Sequence, residues 1–310
     1  MPSLRNHQSV QFTKMLLIGD SGTGKTGSLV SLVKAGYKVR ILDMDNGLDI
    51  LRNLVLEQCP DLIDNVHFVT VTDKYKNVGG KAVPVDSNSW SRAIKLLDNW
   101  TNFGEINKED GPDGKPVNVQ IKEGHKDYFN LGRPQDWGED TVLVVDSFTF
   151  MCNAAMRFIL KVNGRPAGPV YESDWNEAQQ MVENLLGMLY DVSMRTNIVV
   201  CAHIAVRTEK DGTVTAYPTA LGKALGPKVG RYFNAMLEVR RAGTGRTVRR
   251  TINTVPAGLL ELKNPNPLKV KAQYDISVGL AEYFKAVRGE VAHLATANPP
   301  IPISVGGRST

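Results

Sequence analysis

Along the chain, short apolar runs alternate with amphipathic stretches of helical period. Residues 14–18 (KMLLI) and 38–43 (KVRILD) have the apolar, β-branched character of strands. Between them, 28–34 continues with helical periodicity until Gly36 breaks it. Alternation in 65–72 (NVHFVTVT) predicts a third strand. In 87–103, Trp90, Ile94, Leu97 and Trp100 fall near helical spacing, with Ser87 or Ser89 placed as the cap. At that spacing the tryptophans belong to a core rather than to exposed stacking platforms. Two runs, 141–146 (TVLVVD) and 197–203 (NIVVCAH), match fully buried strands of a parallel sheet. Helices are expected over 151–162 and 174–194, the second with Ala178, Met181, Val182, Leu185, Leu186 and Leu189 on one face.

The remainder is less regular. Residues 104–140, rich in Gly, Asp, Lys and Pro, predict a surface insertion with a hairpin around 117–121, in which His125 has no partner. Residues 235–240 and 247–254 predict two more strands around the turn 242–245, flanked by Arg240, Arg241, Arg246, Arg249 and Arg250. A last helix is expected over 275–288. The organisation is a flexible leader at 1–11, one domain over 12–290 and a disordered tail at 291–310. Alternating strands and helices imply an α/β fold: a mostly parallel central sheet with an antiparallel extension toward the C-terminus.

Composition adds limits. The chain has 310 residues, 42% hydrophobic and 22% charged, as in an ordinary globular protein. No apolar run reaches membrane-spanning length, and the first residues lack a signal-peptide core, so no membrane partner is expected. Cys59, Cys152 and Cys201 are scattered, which fits a reducing, cytoplasmic setting and argues against structural zinc. From Cys201 onward there are 16 Lys+Arg against 7 Asp+Glu, whereas the first 200 residues carry 21 against 25. A basic C-terminal third points to a polyanion such as nucleic acid, or to a solvated basic face.

The strongest chemical signal follows the first strand. Gly19-Asp20-Ser21-Gly22-Thr23-Gly24-Lys25-Thr26 reads G-x-x-x-x-G-K-T, the phosphate-binding P-loop. The glycines let successive backbone N–H groups face phosphate oxygens, Lys25 reaches the β- and γ-phosphates, and the Thr26 hydroxyl can ligate Mg²⁺. Asp146 ends a buried strand about 120 residues later, the placement of a Walker B carboxylate on Mg²⁺, with Ser147 beside it. The second strand closes on Asp43, Asp45 and Asp49. A strand-end acid there either orients attacking water or caps the next helix, a role open to Asp45 or Asn46. His203 ends its strand as a γ-phosphate sensor or as a residue bonded to the backbone. Residues 204–221 form either a mobile DNA-contacting loop or an exposed hairpin. Arg207 and Lys210 lie there, and Lys223, Lys228 and Arg231 follow.

With these residues in place, the chain resembles the RecA/RadA-like recombinase core, more narrowly the small phage-encoded RecA-like ATPases of single-strand annealing and recombination. Four blocks carry the resemblance: GDSGTGKT at 19–26, LDMDNGLD at 42–49, LVVDS at 143–147 and VVCAHI at 199–204. The resemblance implies ATP and Mg²⁺ as ligands. It places Asp45 at the catalytic carboxylate, where recombinases usually carry Glu, and Asp146 at the metal. It makes His203 the sensor before the DNA loop and Lys263 a cation inserted into a neighbouring subunit's site. It further implies single-stranded DNA, a homo-oligomeric ring or filament, and a single-strand-binding or replication protein as partners. Alternatives are a helicase-loader or DnaB-like motor, a small-molecule kinase with a basic lid, and a nucleotide-gated interaction protein.

Overall fold

The computed structural model describes residues 11–208, 210–256 and 258–288. The expected leader, except its last residue, and the expected tail lie outside these residues.

β1 (Lys14–Ile18) runs through the P-loop into two short helices, α1 (Lys25–Ser28) and α2 (Val30–Lys34), which meet at Leu29, itself helical in backbone. Then come β2 (Lys38–Asp43), α3 (Asp49–Gln58) and β3 (Val66–Thr70). A hairpin, β4 (Lys74–Val78) with β5 (Lys81–Asp86), precedes α4 (Ser89–Asp98). A second hairpin, β6 (Ile106–Asp110) with β7 (Pro116–Gln120), precedes β8 (Gly138–Asp146). The antiparallel helices α5 (Phe148–Val162) and α6 (Glu172–Tyr190) lead to β9 (Thr196–Ala202). A third hairpin, β10 (Ile204–Thr208) with β11 (Val214–Pro218), leads to α7 (Gly222–Val229). The chain closes with β12 (Ala235–Ala242), β13 (Arg249–Asn253), β14 (Gln273–Asp275) and α8 (Gly279–Arg288).

The central sheet has eight strands in the order β14-β13-β12-β1-β9-β8-β2-β3. From β12 to β3 every neighbouring pair is parallel, and β13 and β14 add antiparallel at the other edge. Period-two alternation sends Leu16 and Ile18 of β1 into one core with α4–α7, and Met15 and Leu17 into another with α2, α3 and α8. Burial on both faces explains why these strands read as continuous apolar runs. After β1 the chain moves toward β3, and β12 later fills the opposite side of β1. The strand order therefore reverses at β1, which places a ligand crevice at its C-terminal end.

Several expectations need correction. The polar stretch after β3 is an exposed hairpin, which alternation could not reveal because neither of its faces is buried. Neither Ser87 nor Ser89 caps α4; the Ser89 amide donates to Asp73 Oδ1 at 3.0 Å, from 16 residues away. Asp275, where the last helix is expected to start, ends β14, a turn follows, and the helix begins at Gly279. His125 has partners: Glu109 Oε1 lies 2.8 Å from Nε2, and the Asp127 amide donates to Nδ1 at 3.1 Å. The tryptophans are core as expected, with Trp100 fully buried and its Nε1–H donating to His67 Nδ1. Among the described residues no helix is long and apolar enough to cross a membrane, and all three cysteines are free.

Candidate functional site

The C-terminal ends of the parallel strands lie level, with Asp43 in register with Asp146 and Asp146 with Cys201. The loops leaving β1, β2, β8 and β9 therefore emerge along one edge. Gly19 is bonded to this layer through its amide, which donates to the Ala202 carbonyl at 3.1 Å. A Cβ at position 19 would lie 2.6 Å from Thr23 Oγ1 and 2.7 Å from the Val239 carbonyl, so the bend after β1 has no room for a side chain. Gly22 and Gly24 take φ of 74° and 108°, left-handed geometry that only glycine adopts without strain. Thr23 Oγ1 donates to the Asp20 carbonyl at 2.8 Å and ties the loop to itself. Lys25 is buried, and its ammonium donates to the Gly19 and Asp20 carbonyls at 2.8 and 3.1 Å. Burial lowers the Lys25 pKa, while Cys201, Asp146, Asp20 and Asp45 act to raise it.

Thr26 Oγ1 donates to Asp146 Oδ2 at 2.7 Å. Asp146 is almost completely buried, which raises its pKa, while the Thr26 hydrogen bond and the Lys25 charge hold the ionised form. The adjacent Ser147 hydroxyl is buried and has no hydrogen-bond partner among the described residues. The Thr26 hydroxyl and Asp146 carboxylate, with this orphaned hydroxyl next in sequence, form an all-oxygen donor set suited to a hard divalent cation such as Mg²⁺.

Asp43 and Asp45 have separate parts. Asp43 is buried and accepts from the Thr70 hydroxyl at 2.7 Å and the Gly47 amide at 3.3 Å, which holds the β2–α3 turn. Asn46 takes φ 58° in this turn, and a Cβ on Gly47 would sit 2.8 Å from Asp45 Oδ1. α3 is preceded by Leu48 with no side-chain cap, so Asp45 is not spent on capping. Half-buried beside Asp146 and Asp43, Asp45 has its pKa pushed up to about 6, chiefly by desolvation. His203 is lowered by burial and then by the Lys25 charge, which favours the neutral imidazole.

These groups share one cavity of about 500 Å³, lined by Gly22, Gly24, Lys25, Thr26, Asp45, Asp146 and His203. Ser21 also lines it, and Gly19, Asp20 and Thr23 shape the loop behind. The sequence reading missed Ile50, Leu54 and Gln58 of α3, together with Arg250, Ile276 and Ser277, which complete its walls. No motif marks them. Arg250 was visible only as one of several arginines around a turn.

Lys263 is not in this cavity. Its backbone pairs with Met236, and with Arg231 it lines a second cleft of about 500 Å³ beside β11 and α7. β10 and β11 pair as a hairpin rather than an irregular loop, with Arg207 on β10 and Lys210 exposed at the turn. Lys223 and Lys228 ride on α7, where Lys228 is paired with Glu183 at 3.1 Å. Glu109, His125 and Asp127 also cluster, but their arrangement is that of a hydrogen-bond network. Because Nδ1 of His125 accepts the Asp127 amide, Nε2 holds the proton and donates to Glu109, so neither nitrogen has a lone pair left for a metal.

A glycine-rich loop between a buried central strand and a helix, facing a second strand's carboxylate, defines a P-loop nucleoside triphosphatase with a mostly parallel α/β core. The family profile described as AAA domain (AAA_24) matches residues 11–265, and the chain belongs to that family of P-loop ATPases. No curated protein matches the sequence significantly. Among solved structures, it is similar to the KaiC-like protein PH0186 of Pyrococcus horikoshii OT3, with TM-score 0.36, 12% identity, and 78% of this chain and 79% of that one covered. It is also similar to the flagellar accessory protein FlaH of Methanocaldococcus jannaschii, with TM-score 0.37, 9% identity, and coverage of 90% and 95%. A type III secretion ATPase of pathogenic bacteria gives TM-score 0.37, 12% identity, and coverage of 74% and 51%. None of these three likenesses bears on what this chain acts upon.

Proposed function

We propose that this chain hydrolyses ATP in a cycle coupled to binding of single-stranded DNA, as a homo-oligomeric ring or filament serving recombination or annealing. In the hydrolytic step the P-loop amides and Lys25 bind the β- and γ-phosphates and meet the charge that develops on them. Thr26 and Asp146 would hold Mg²⁺, which supplies Lewis-acid stabilisation of the phosphate oxygens when bound. Asp45 accepts a hydrogen bond from the attacking water and aligns it with the γ-phosphorus, and a pKa near 6 leaves it ionised at neutral pH. Lys263, outside its own cavity, is assigned to a neighbouring subunit's site.

The observation that carries the DNA reading is the position of His203. It lines the nucleotide cavity, and the next residue begins the β10–β11 hairpin that carries Arg207 and Lys210. The far end of the hairpin returns to the same residue, where the Thr219 amide donates to the His203 carbonyl at 2.7 Å. The His203 amide in turn donates to Thr149 Oγ1 on α5. A change at the γ-phosphate thus reaches both strands of the hairpin that carries Arg207 and Lys210 through one residue. Lys223 and Arg231 extend the positive surface, which attracts a polyanion without regard to its sequence.

The test is ATP hydrolysis with and without single-stranded DNA, for the wild type and Lys25→Ala. Stimulation by DNA that disappears in the variant is the expected result. Hydrolysis indifferent to DNA, with no DNA binding at low salt, sinks the reading and turns attention to small-molecule acceptors and protein partners.

A further inference from the structure

Arg250 reaches the nucleotide cavity from the antiparallel edge of the sheet, on β13. Its backbone carbonyl accepts the Ile276 amide at 3.3 Å, which holds the turn after β14 beside it. Both side chains lie against the P-loop. A Cβ built on Gly24 would stand 2.7 Å from Ile276 Cδ1 and 3.1 Å from Arg250 Cδ, with Arg250 Nε at 3.7 Å. Glycine at position 24 is thus required twice, for its φ and for the space in which the arginine stem lies on the loop. The stem is placed by packing, and the guanidinium is left at the cavity.

Other arginines of the molecule are ion-paired: Arg92 with Glu105, Arg157 with Asp73, Arg165 with Asp174. Among the described residues the Arg250 guanidinium has neither an ion pair nor a side-chain hydrogen bond. The acids around the cavity, Asp20, Asp45 and Asp146, act on Lys25 instead. A guanidinium presents a planar fork of donors that suits phosphate oxygens, and here it shares a cavity with a lysine and a glycine-rich loop.

We infer that Arg250 is a phosphate-binding residue acting in cis, contacting the nucleoside di- or triphosphate held by its own P-loop. This rests on the nucleotide reading above and deepens it. It separates Arg250 from Lys263, whose assignment is to a neighbour's site. β13 pairs with β12, which pairs with β1, so the cation and the P-loop belong to one sheet of one chain.

The experiment measures binding of fluorescent ATP and ADP to the wild type, Arg250→Ala, Arg250→Lys and Lys25→Ala, with competition by inorganic pyrophosphate. Loss of one charge-assisted contact predicts Kd values raised about tenfold or more in Arg250→Ala, for both nucleotides and for pyrophosphate. Arg250→Lys recovers part of this, and thermal melting is unchanged because the side chain is exposed and unpaired. Unchanged affinity in Arg250→Ala overturns the inference, as does weaker ATP binding with pyrophosphate unaffected, which would put the side chain on the base or ribose. Mixing Arg250→Ala with Lys25→Ala subunits tests cis action. Recovery of hydrolysis means that the arginine serves a neighbour and overturns the inference; no recovery supports it. If Lys25→Ala binds nucleotide like the wild type, the nucleotide reading itself falls. A defect in Lys25→Ala with none in Arg250→Ala removes only the present inference.

Discussion

In the nucleotide cavity Lys25 and Asp146 are buried and tightly held; on the surface beyond His203 the charges are exposed and carried on short elements. Lys25 and Asp146 are 7% and 2% exposed, and each is fixed by hydrogen bonds to loops at the ends of buried parallel strands. Lys210 and Lys223 are exposed, on a two-stranded hairpin and an eight-residue helix. A desolvated, preorganised site gives a large electrostatic effect per residue, because little reorganisation is needed at the moment of reaction. A solvated basic face gives a small, additive and salt-screened effect per residue. The two regions should therefore differ in the size and the shape of their mutational response.

The sharpest expected loss is at Asp45. Asp45→Asn keeps the shape of the side chain and removes the base, so kcat should fall about a hundredfold or more, the typical contribution of a positioned general base. The sign of the pH effect follows from the raised pKa. In the proposed role Asp45 acts as the carboxylate, so wild-type activity should fall as pH drops through about 6, and the variant should lose that acid limb. An acid limb that persists in Asp45→Asn would give the titration to another group and break the assignment.

The link between the regions comes next. His203→Ala should leave DNA-free hydrolysis within a few-fold of wild type while reducing stimulation by single-stranded DNA about tenfold, a usual size for coupling between sites. Stimulation left intact would mean that the cavity and the hairpin are not joined through this residue.

The smallest effects belong to the basic face. Lys210→Ala and Lys223→Ala should each weaken DNA binding a few-fold. Each should reduce the magnitude of the slope of log K against log salt by about 0.7, the value for one phosphate contact on a single strand. Lys228→Ala should change the slope least, because Glu183 already neutralises it. A single variant on this face that abolished binding outright would mean that it works like the cavity, through one fixed contact.

What could be read in advance divides along the same line. The P-loop and the Asp146 strand were legible because their chemistry is local: a loop of eight residues and one apolar run carry the groups and their geometry. The placement of Asp45 and His203 at the same edge followed once the runs were taken as parallel strands, since parallel pairing brings their C-terminal ends level. The β4–β5 hairpin left no periodic signature because neither of its faces is buried. His125 looked isolated because its partner Glu109 is 16 residues away, across a turn of the same insertion.

By itself, then, the sequence determined the nucleotide chemistry and the class of fold, since both depend on short runs whose burial and spacing admit one arrangement. Only the tertiary structure decided which arginine of the turn cluster reaches the phosphate loop, that Lys263 faces a different cleft, and that Asp43 is spent on a turn while Asp45 is left to the cavity. Those outcomes depend on sheet order and register. Arg250 lies 226 residues beyond Gly24 and meets it because β13 stands two strands from β1 in the finished sheet.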